Sequence, residues 1–134
     1  MEHIAKQFGT ALDNDDFELA KRLLSPHCSY DIGDEVLHGP EAIAGSYEAN
    51  MIEGRKKMDK LEWGQCTIET IEPGSYFVHF TDYLTHKGET YTFQCKQKLT
   101  VEADKIVRIE HIHDADAWEH LQAWYRSVGI PTKS

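Results

Sequence analysis

The sequence contains no long hydrophobic run. Apolar residues make up 40% of the 134 residues, but none of their stretches approaches the roughly 18 residues that a membrane-spanning helix requires. The first ten residues, MEHIAKQFGT, lack the basic and apolar regions of a secretory signal peptide. We therefore expect a cytoplasmic protein that does not associate with membranes.

Basic residues are also few. The chain has 14 Lys and Arg against 23 Asp and Glu, which gives a formal net charge of -9. Proteins that bind nucleic acids or anionic membranes rely on a basic surface to meet the phosphates. The charge balance therefore disfavours both as partners.

Reactive motifs are missing as well. The three cysteines (Cys28, Cys66 and Cys95) form an odd set without a C-x-x-C pair, which predicts reduced thiols. No serine or cysteine has a base at a recognisable spacing, and the glycine in IEPGSY belongs to a hairpin turn and not to a phosphate-binding loop. We expect no cofactor.

Helical patterns occupy the first part of the chain. Apolar residues recur at helical spacing in HIAKQFGTALDNDDFELAKRLLS, and the acidic segment DNDD interrupts them. This break predicts a tight turn with Asn14 or Asp15 as the N-cap of a second helix, which Pro26 ends. A third helix is predicted to begin at Pro40, because proline is favoured at the first helical position.

From Met58 onward the hydrophobic period is that of strands. Four strand-like runs are separated by turns: DKLEWGQCTIETIE, SYFVHFTDYLTH, ETYTFQCKQKLTVE and KIVRIEHIHD. The third run alternates cleanly, and its apolar face carries one polar residue, Gln97. The segment DAWEHLQAWYRSVG then predicts an amphipathic C-terminal helix.

This order of elements predicts an α+β fold in a single domain that spans residues 1–134. A short strand around Cys28 to Asp31 precedes the third helix. Three N-terminal helices should therefore pack on a curved antiparallel sheet, with a fourth helix at the C-terminus. A chain of this length can bury one core and is too short for two ordinary domains.

The segments ALDNDDFELAKRLLSPHCSY, HGPEAIAGSYEANM and DKIVRIEHI resemble the nuclear transport factor 2-like superfamily, in its SnoaL-like and ketosteroid-isomerase-like branch. The resemblance covers essentially the whole chain and implies a cone-shaped fold. The superfamily includes isomerases, dehydratases, hydrolases, cyclases and binding domains. The resemblance is therefore specific for the fold and weak for the activity.

The ketosteroid isomerase pattern matches this chain only in part. The resemblance implies a catalytic Asp shortly before the glycine that opens the third helix, and Asp31, eight residues before Gly39, matches it with a gap of one residue. The two positions that would donate hydrogen bonds in the oxyanion hole fall on Phe8, which has no polar side-chain atom, and on Gln97, which has a neutral amide. The loss of one such donor can cost on the order of 10²–10³ in rate. We therefore expect an isomerase-like or lyase-like protein that is not a strict steroid isomerase.

Two interpretations of Asp31 remain open. It follows the strand-like residues Ser29 and Tyr30 and fits a carboxylate at the wall of a pocket, where it would act as acid or base. It also lies in DIGDE, and aspartate is common in turns. The resemblance to the epoxide hydrolase branch, which uses an Asp-Arg-Asp set, is weak, since Arg108 is the only arginine on the predicted strands.

Further polar residues are candidates for ligand binding. Gln97 either contacts a ligand or is satisfied by its neighbours, because a buried amide must find partners. Asp82 shares a strand face with Val78 and Leu84 and would be a second inward carboxylate if that face is buried. His111 and His113 share a face at a spacing that suits zinc, but no third ligand stands out, so we predict no metal site. His111 is then a ligand contact or a core histidine.

Aromatic residues supply the remaining candidates for the pocket. Tyr30, Tyr47 and Trp63, together with Phe8, either line a cavity or are part of the core. The strand at 76–86 is apolar on both sides, so its inward face is ambiguous. Its outer face also needs a cover, and a symmetric homodimer through the sheet would supply one.

Two functional hypotheses follow. In the first, the protein binds a small lipophilic molecule and acts as an isomerase or lyase with Asp31 as acid or base. In the second, it is a non-catalytic dimeric module of the same fold, for ligand binding or assembly.

Overall fold

The computed structural model describes residues 1–132, so the last two residues of the predicted domain lie outside it. In chain order the elements are α1 (Glu2–Asp13), α2 (Phe17–Arg22), β1 (Leu24–Asp31), β2 (Val36–His38), α3 (Pro40–Lys57), β3 (Lys60–Trp63), β4 (Thr67–Glu72), β5 (Ser75–His86), β6 (Glu89–Glu102), β7 (Lys105–Ile112) and α4 (Ala115–Ser127). No helix within residues 1–132 is both long enough and apolar enough to cross a bilayer.

The turn between the first two helices lies where the sequence predicts it, but its cap is different. Asp16 is the N-cap of α2, and its side chain accepts a hydrogen bond from the backbone N–H of Leu19 at 3.1 Å. The prediction of Asn14 or Asp15 is wrong because both have other roles. Asn14 is the C-cap of α1, and Asp15 takes a left-handed conformation with φ of 57°.

The third helix begins at Pro40, which confirms the prediction. Gly39 precedes it with φ of 90°, a conformation that a residue with a Cβ rarely adopts. The glycine therefore lets the chain turn sharply from β2 into α3.

The first strand is longer than predicted and includes Pro26. Helix α2 ends at Arg22 and β1 begins at Leu24, so the proline lies inside the strand and does not end the helix. The pairing of β1 with β7 shifts register between Leu24 and Ser29, and proline is tolerated in such an irregular stretch.

The strands of the described region form a seven-stranded curved sheet in the order β2-β1-β7-β6-β5-β3, with β4 also paired to β5. The first predicted run is two strands, because β3 pairs with the second half of β5 and β4 with its first half. The β1–β7 pair is parallel and the other pairs are antiparallel, so the sheet is mixed and not purely antiparallel as predicted. The α+β class is confirmed.

Two apolar clusters hold the helices on this sheet. The larger one packs α1 and β1 against the middle of the sheet and includes Phe8 and Leu99, both fully buried. The second joins β3 and the end of β5 to α4 through residues such as Leu61 and Leu121. Val78 and Leu84 belong to these clusters, which identifies the inward face of β5 as the one that also carries Asp82.

Candidate functional site

A cavity of about 470 Å³ has walls that belong to both apolar clusters. Its walls come from α1, β1, α3, β3, the three long strands β5 to β7, and α4. A volume of this size is typical of a site for one small organic molecule, and most such sites are lined by apolar groups with a few polar ones.

The first polar group is a chain of three side chains. The Tyr47 hydroxyl donates a hydrogen bond to the Gln97 amide oxygen, and the Gln97 amide N–H donates to the Tyr30 hydroxyl at 2.9 Å. Gln97 is thus a buried amide with both ends satisfied, and the Tyr30 and Tyr47 hydroxyls also lie close enough to hydrogen-bond to each other. All three residues line the cavity, so the chain presents its tyrosine hydroxyls to that space.

Packing keeps the two tyrosines in place and neutral. Their rings stack with centroids 5.2 Å apart, and Phe8 meets the Tyr47 ring edge-on at 5.9 Å. Burial raises the pKa of Tyr30 to about 12 and raises that of Tyr47 well above its ordinary value. Both therefore remain hydrogen-bond donors throughout the neutral range. Phe8 packs against Tyr47 and is not itself part of the cavity wall.

The second polar group is the carboxyl of Asp82. It lies on the inward face of β5 between Phe80 and Leu84, directly across from Phe93 of β6. Burial raises its pKa to about 7, and the negative charge of Asp13 adds to this effect. No hydrogen-bond donor within residues 1–132 reaches the carboxyl, so nothing offsets the cost of its burial. Such a group both takes and gives a proton near neutral pH, as an acid/base catalyst must.

An ion pair borders the same cavity next to the α1–α2 turn. The Asp15 carboxylate accepts a hydrogen bond from the Trp63 indole at 2.7 Å and pairs with the Arg55 guanidinium at 2.8 Å. The guanidinium also lies over the Trp63 ring, 5.7 Å from its centroid. Asp13 is held in turn by the backbone N–H of Cys66 at 2.8 Å. These contacts join α1, α3 and β3 around one wall of the cavity.

His111 also lines the cavity, on β7 opposite Gln97. Burial and the proximity of His113 lower its pKa, which favours the neutral imidazole. Within residues 1–132, no set of three or more His, Cys, Asp or Glu side chains is arranged to hold a metal ion.

Asp31 lies at the end of β1 and is half-buried. Its neighbour Tyr30 points into the cavity, so strand alternation turns Asp31 to the other side. Its carboxylate accepts a hydrogen bond from the backbone N–H of Gly33 at 2.9 Å, as aspartates in turns do. It is not part of the cavity wall, and its catalytic role stays a prediction.

The structure therefore brings six predicted residues into one cavity, but not Phe8 or Asp31. The six are Tyr30, Tyr47, Trp63, Asp82, Gln97 and His111. It adds Asp13, Asp15 and Gln122, which were not predicted as site residues. Gln122 had a readable signal, since it interrupts the apolar stripe of α4 between Trp118 and Tyr125 as Gln97 interrupts that of β6. The two aspartates had none, because they lie in an acidic turn that reads as solvent-exposed.

A separate groove of about 1000 Å³ is lined partly by outward-facing residues of the sheet. It includes Thr81, Gln94 and Lys96, and it shares five residues with the cavity: Phe80, Phe93, Cys95, His111 and Trp118. Trp118 is 44% exposed and lies at the start of α4, where the two spaces meet.

No protein-family model and no curated protein matches the sequence. Solved structures do match. TerC, co-crystallised with polyporic acid, is 16% identical with a TM-score of 0.67, over 89% of this chain and 95% of that chain. An LEH-like epoxide hydrolase of M. tuberculosis is 17% identical with a TM-score of 0.64, over 97% and 95%. A proposed polyketide cyclase of Pseudomonas putida is 17% identical with a TM-score of 0.63, over 86% and 92%.

Similarity at this level of identity establishes the fold and not the chemistry. The three matches extend over 86–97% of the present chain, so it shares their fold along nearly its whole length. The chain has the nuclear transport factor 2-like, SnoaL-like fold.

Proposed function

We propose that this protein binds a small lipophilic, conjugated carbonyl compound in the cavity and transfers a proton on it, as an isomerase or lyase. The observation that carries the proposal is the carboxyl of Asp82. It is partly buried, its pKa is raised to about 7 by that burial, and it lies in the same cavity as the Tyr30–Gln97–Tyr47 chain. In this proposal Asp82 takes the role of acid and base that the sequence had suggested for Asp31.

The spacing of the two polar groups narrows the class of substrate. Asp82 pairs with Phe93, and Phe93 lies four residues before Gln97 on β6, about 13 Å along the strand. Side chains that converge from the two positions shorten this separation but do not close it. A base at this distance suits a hydrogen that is linked to the carbonyl through conjugated double bonds. Removal of the proton then moves negative charge onto the carbonyl oxygen, and a hydrogen bond from the Tyr30 hydroxyl stabilises that charge.

Deuterium exchange tests this proposal. α-Ionone is a lipophilic enone whose γ-carbon carries an acidic hydrogen, and its exchange in D₂O is measured by NMR. We expect wild type to catalyse the exchange and Asp82→Asn to lower the rate by about 10²-fold or more. Asp31→Asn is the matched control and should retain the rate within about twofold. Loss of exchange in Asp31→Asn instead would restore Asp31 as the base, and equal rates in all three proteins would refute the proposal.

The second candidate function is a non-catalytic dimeric module. The outer face of β5 supports the dimerisation in this candidate, but it does not bear on catalysis. This face carries Phe77 and Tyr83, and Tyr83 is 42% exposed beside the groove. We propose that two copies associate through this face. Sedimentation at several concentrations should give a dimer that Tyr83→Lys weakens. Val36→Lys, at an equally exposed position on β2, should leave it unchanged. A wild-type monomer at every concentration contradicts the dimer.

We also propose that the protein works in the cytoplasm. The three cysteines are free, and burial raises the pKa of each thiol to about 12. Such thiols are unreactive and suit a reducing compartment. Protein recovered from its native cells under thiol-trapping conditions should carry three reduced cysteines, whereas a recovered disulfide would contradict this location.

A further inference from the structure

Two glutamines line the cavity, and they differ in how their amides are satisfied. Gln97 has a partner at each end of its amide. Gln122 is only 8% exposed, and its amide oxygen is buried without a hydrogen-bond donor among residues 1–132. Buried polar atoms in folded proteins nearly always have a partner, so an exception needs an explanation.

The surroundings of Gln122 do not explain a polar side chain. It lies on α4 between the cavity-lining residues Trp118 and Tyr125, one turn from each, and next to the buried Leu121. An apolar residue would suit this stripe better, because it would bury no unpaired group. Local departures of this kind concentrate where a protein binds its ligand.

We propose that Gln122 binds a hydroxyl group of the ligand through its amide oxygen, so that the ligand is a hydroxylated conjugated carbonyl compound. This inference rests on the proposed function of the same cavity. An amide oxygen only accepts hydrogen bonds, so the ligand atom must carry a hydrogen. A ketone or ether oxygen could pair only with the amide nitrogen and would leave the amide oxygen without a donor, whereas a hydroxyl can donate to that oxygen.

The side chain can reach such a group without breaking an existing hydrogen bond of its oxygen. The terminal torsion of glutamine is broad, so the amide plane can turn its oxygen towards the cavity. The same rotation is unfavourable for Gln97, because Tyr30 and Tyr47 hold its two ends. In this proposal Tyr30 donates to the carbonyl of the ligand and Gln122 is an adjustable acceptor for its hydroxyl.

The test uses 2-acetylnaphthalene, its 6-hydroxy and 7-hydroxy derivatives, and the methyl ethers of both. Dissociation constants are measured by titration calorimetry for wild type, Gln122→Met and Gln94→Met. Methionine keeps the length of glutamine and removes its hydrogen-bonding atoms. Gln94 lies on the outer face of β6, outside the cavity wall, and is the matched control.

We expect at least one hydroxy derivative to bind wild type about tenfold more tightly than the parent ketone and than its own ether, because a site that hydrogen-bonds a hydroxyl rejects analogues without one. In Gln122→Met this preference should fall to within about twofold of unity, while the parent ketone keeps its affinity. Gln94→Met should retain the preference. Without ligand, Gln122→Met should raise the Tm by about 3 °C, because it removes a buried unpaired oxygen.

Each other result overturns the inference. If the parent ketone binds but no hydroxy derivative binds more tightly, Gln122 does not bind a hydroxyl and the proposed function stands. The same holds if Gln122→Met retains the preference or lowers the Tm of the free protein. If none of the five compounds binds wild type, the proposed carbonyl site fails and the inference fails with it.

Discussion

The stability of this protein should depend on pH through Asp82. Its pKa in the folded state is about 7, raised from an ordinary value of 3.8 by burial and by the charge of Asp13. The folded protein therefore holds this proton more tightly than the unfolded chain does. Its contribution to stability is fully present below about pH 4 and is lost as the pH rises through about 7. Asparagine has a similar shape and does not titrate, so Asp82→Asn should abolish this loss.

The size of the effect follows from the shift in pKa. One pKa unit corresponds to about 1.4 kcal/mol of folding free energy. The shift from 3.8 to about 7 therefore lowers the stability of the wild type by about 4 kcal/mol at alkaline pH, relative to acidic pH. At pH 5 the stability lost is only about 1.5 kcal/mol, because Asp82 is still protonated in the folded state and the unfolded chain has only begun to gain from releasing its proton. The stability of Asp82→Asn relative to wild type should therefore increase by about 2–3 kcal/mol between pH 5 and pH 8.

Urea denaturation of both proteins at the two pH values measures this change directly. Phe80→Leu is a suitable control, because it alters the same face of β5 without a titrating group. It should destabilise the protein by a similar amount at pH 5 and at pH 8. A stability difference between wild type and Asp82→Asn that is the same at both pH values would show that Asp82 is solvated, and the acid/base proposal would lose its physical basis.

Three further substitutions test the packing around the cavity, each by urea denaturation. Asp15→Asn should lower the stability by less than about 1 kcal/mol, because asparagine keeps an acceptor for the Trp63 indole and tolerates the left-handed backbone. Asp15→Ala should lower it by about 1–3 kcal/mol. Equal losses for the two substitutions would argue against the indole contact. Gln97→Leu should cost about 2–4 kcal/mol, since two tyrosine hydroxyls lose their buried partner, and a neutral effect would contradict that chain. Gly9→Ala should lower the stability by about 1–3 kcal/mol, because the added Cβ would lie 2.5 Å from the Cys66 Sγ. The same substitution should cost less in a Cys66→Ala background. If the effects of the two substitutions are additive instead, the clash is contradicted.

Much of the architecture was readable because it depends on local periodicity. The alternation in β6 placed Gln97 among apolar residues on one face, and the structure has it buried there with 6% exposure. Pro40 marked the start of α3 through its own backbone geometry. The cap of α2 was missed by one residue, because four consecutive Asn and Asp residues offer similar side chains and only the backbone path selects Asp16.

The inward face of β5 was not readable, because this strand is apolar on both sides. The contacts around Asp15 could not be predicted either, since its partners Arg55 and Trp63 lie 40 and 48 residues away in the chain. The parallel pairing of β1 with β7 joins segments that are still further apart, and no local pattern specifies it.

The sequence by itself determined most of the elements, the α+β class and six of the side chains that line the cavity, because these depend on spacing along the chain. Only the tertiary structure decided which carboxyl the cavity contains. Asp31 and Asp82 both follow strand-like residues, and their sequences do not distinguish them. Their positions differ: Asp31 bonds to a neighbouring turn, whereas Asp82 lies on the cavity wall, where packing by distant strands and helices raises its pKa to about 7.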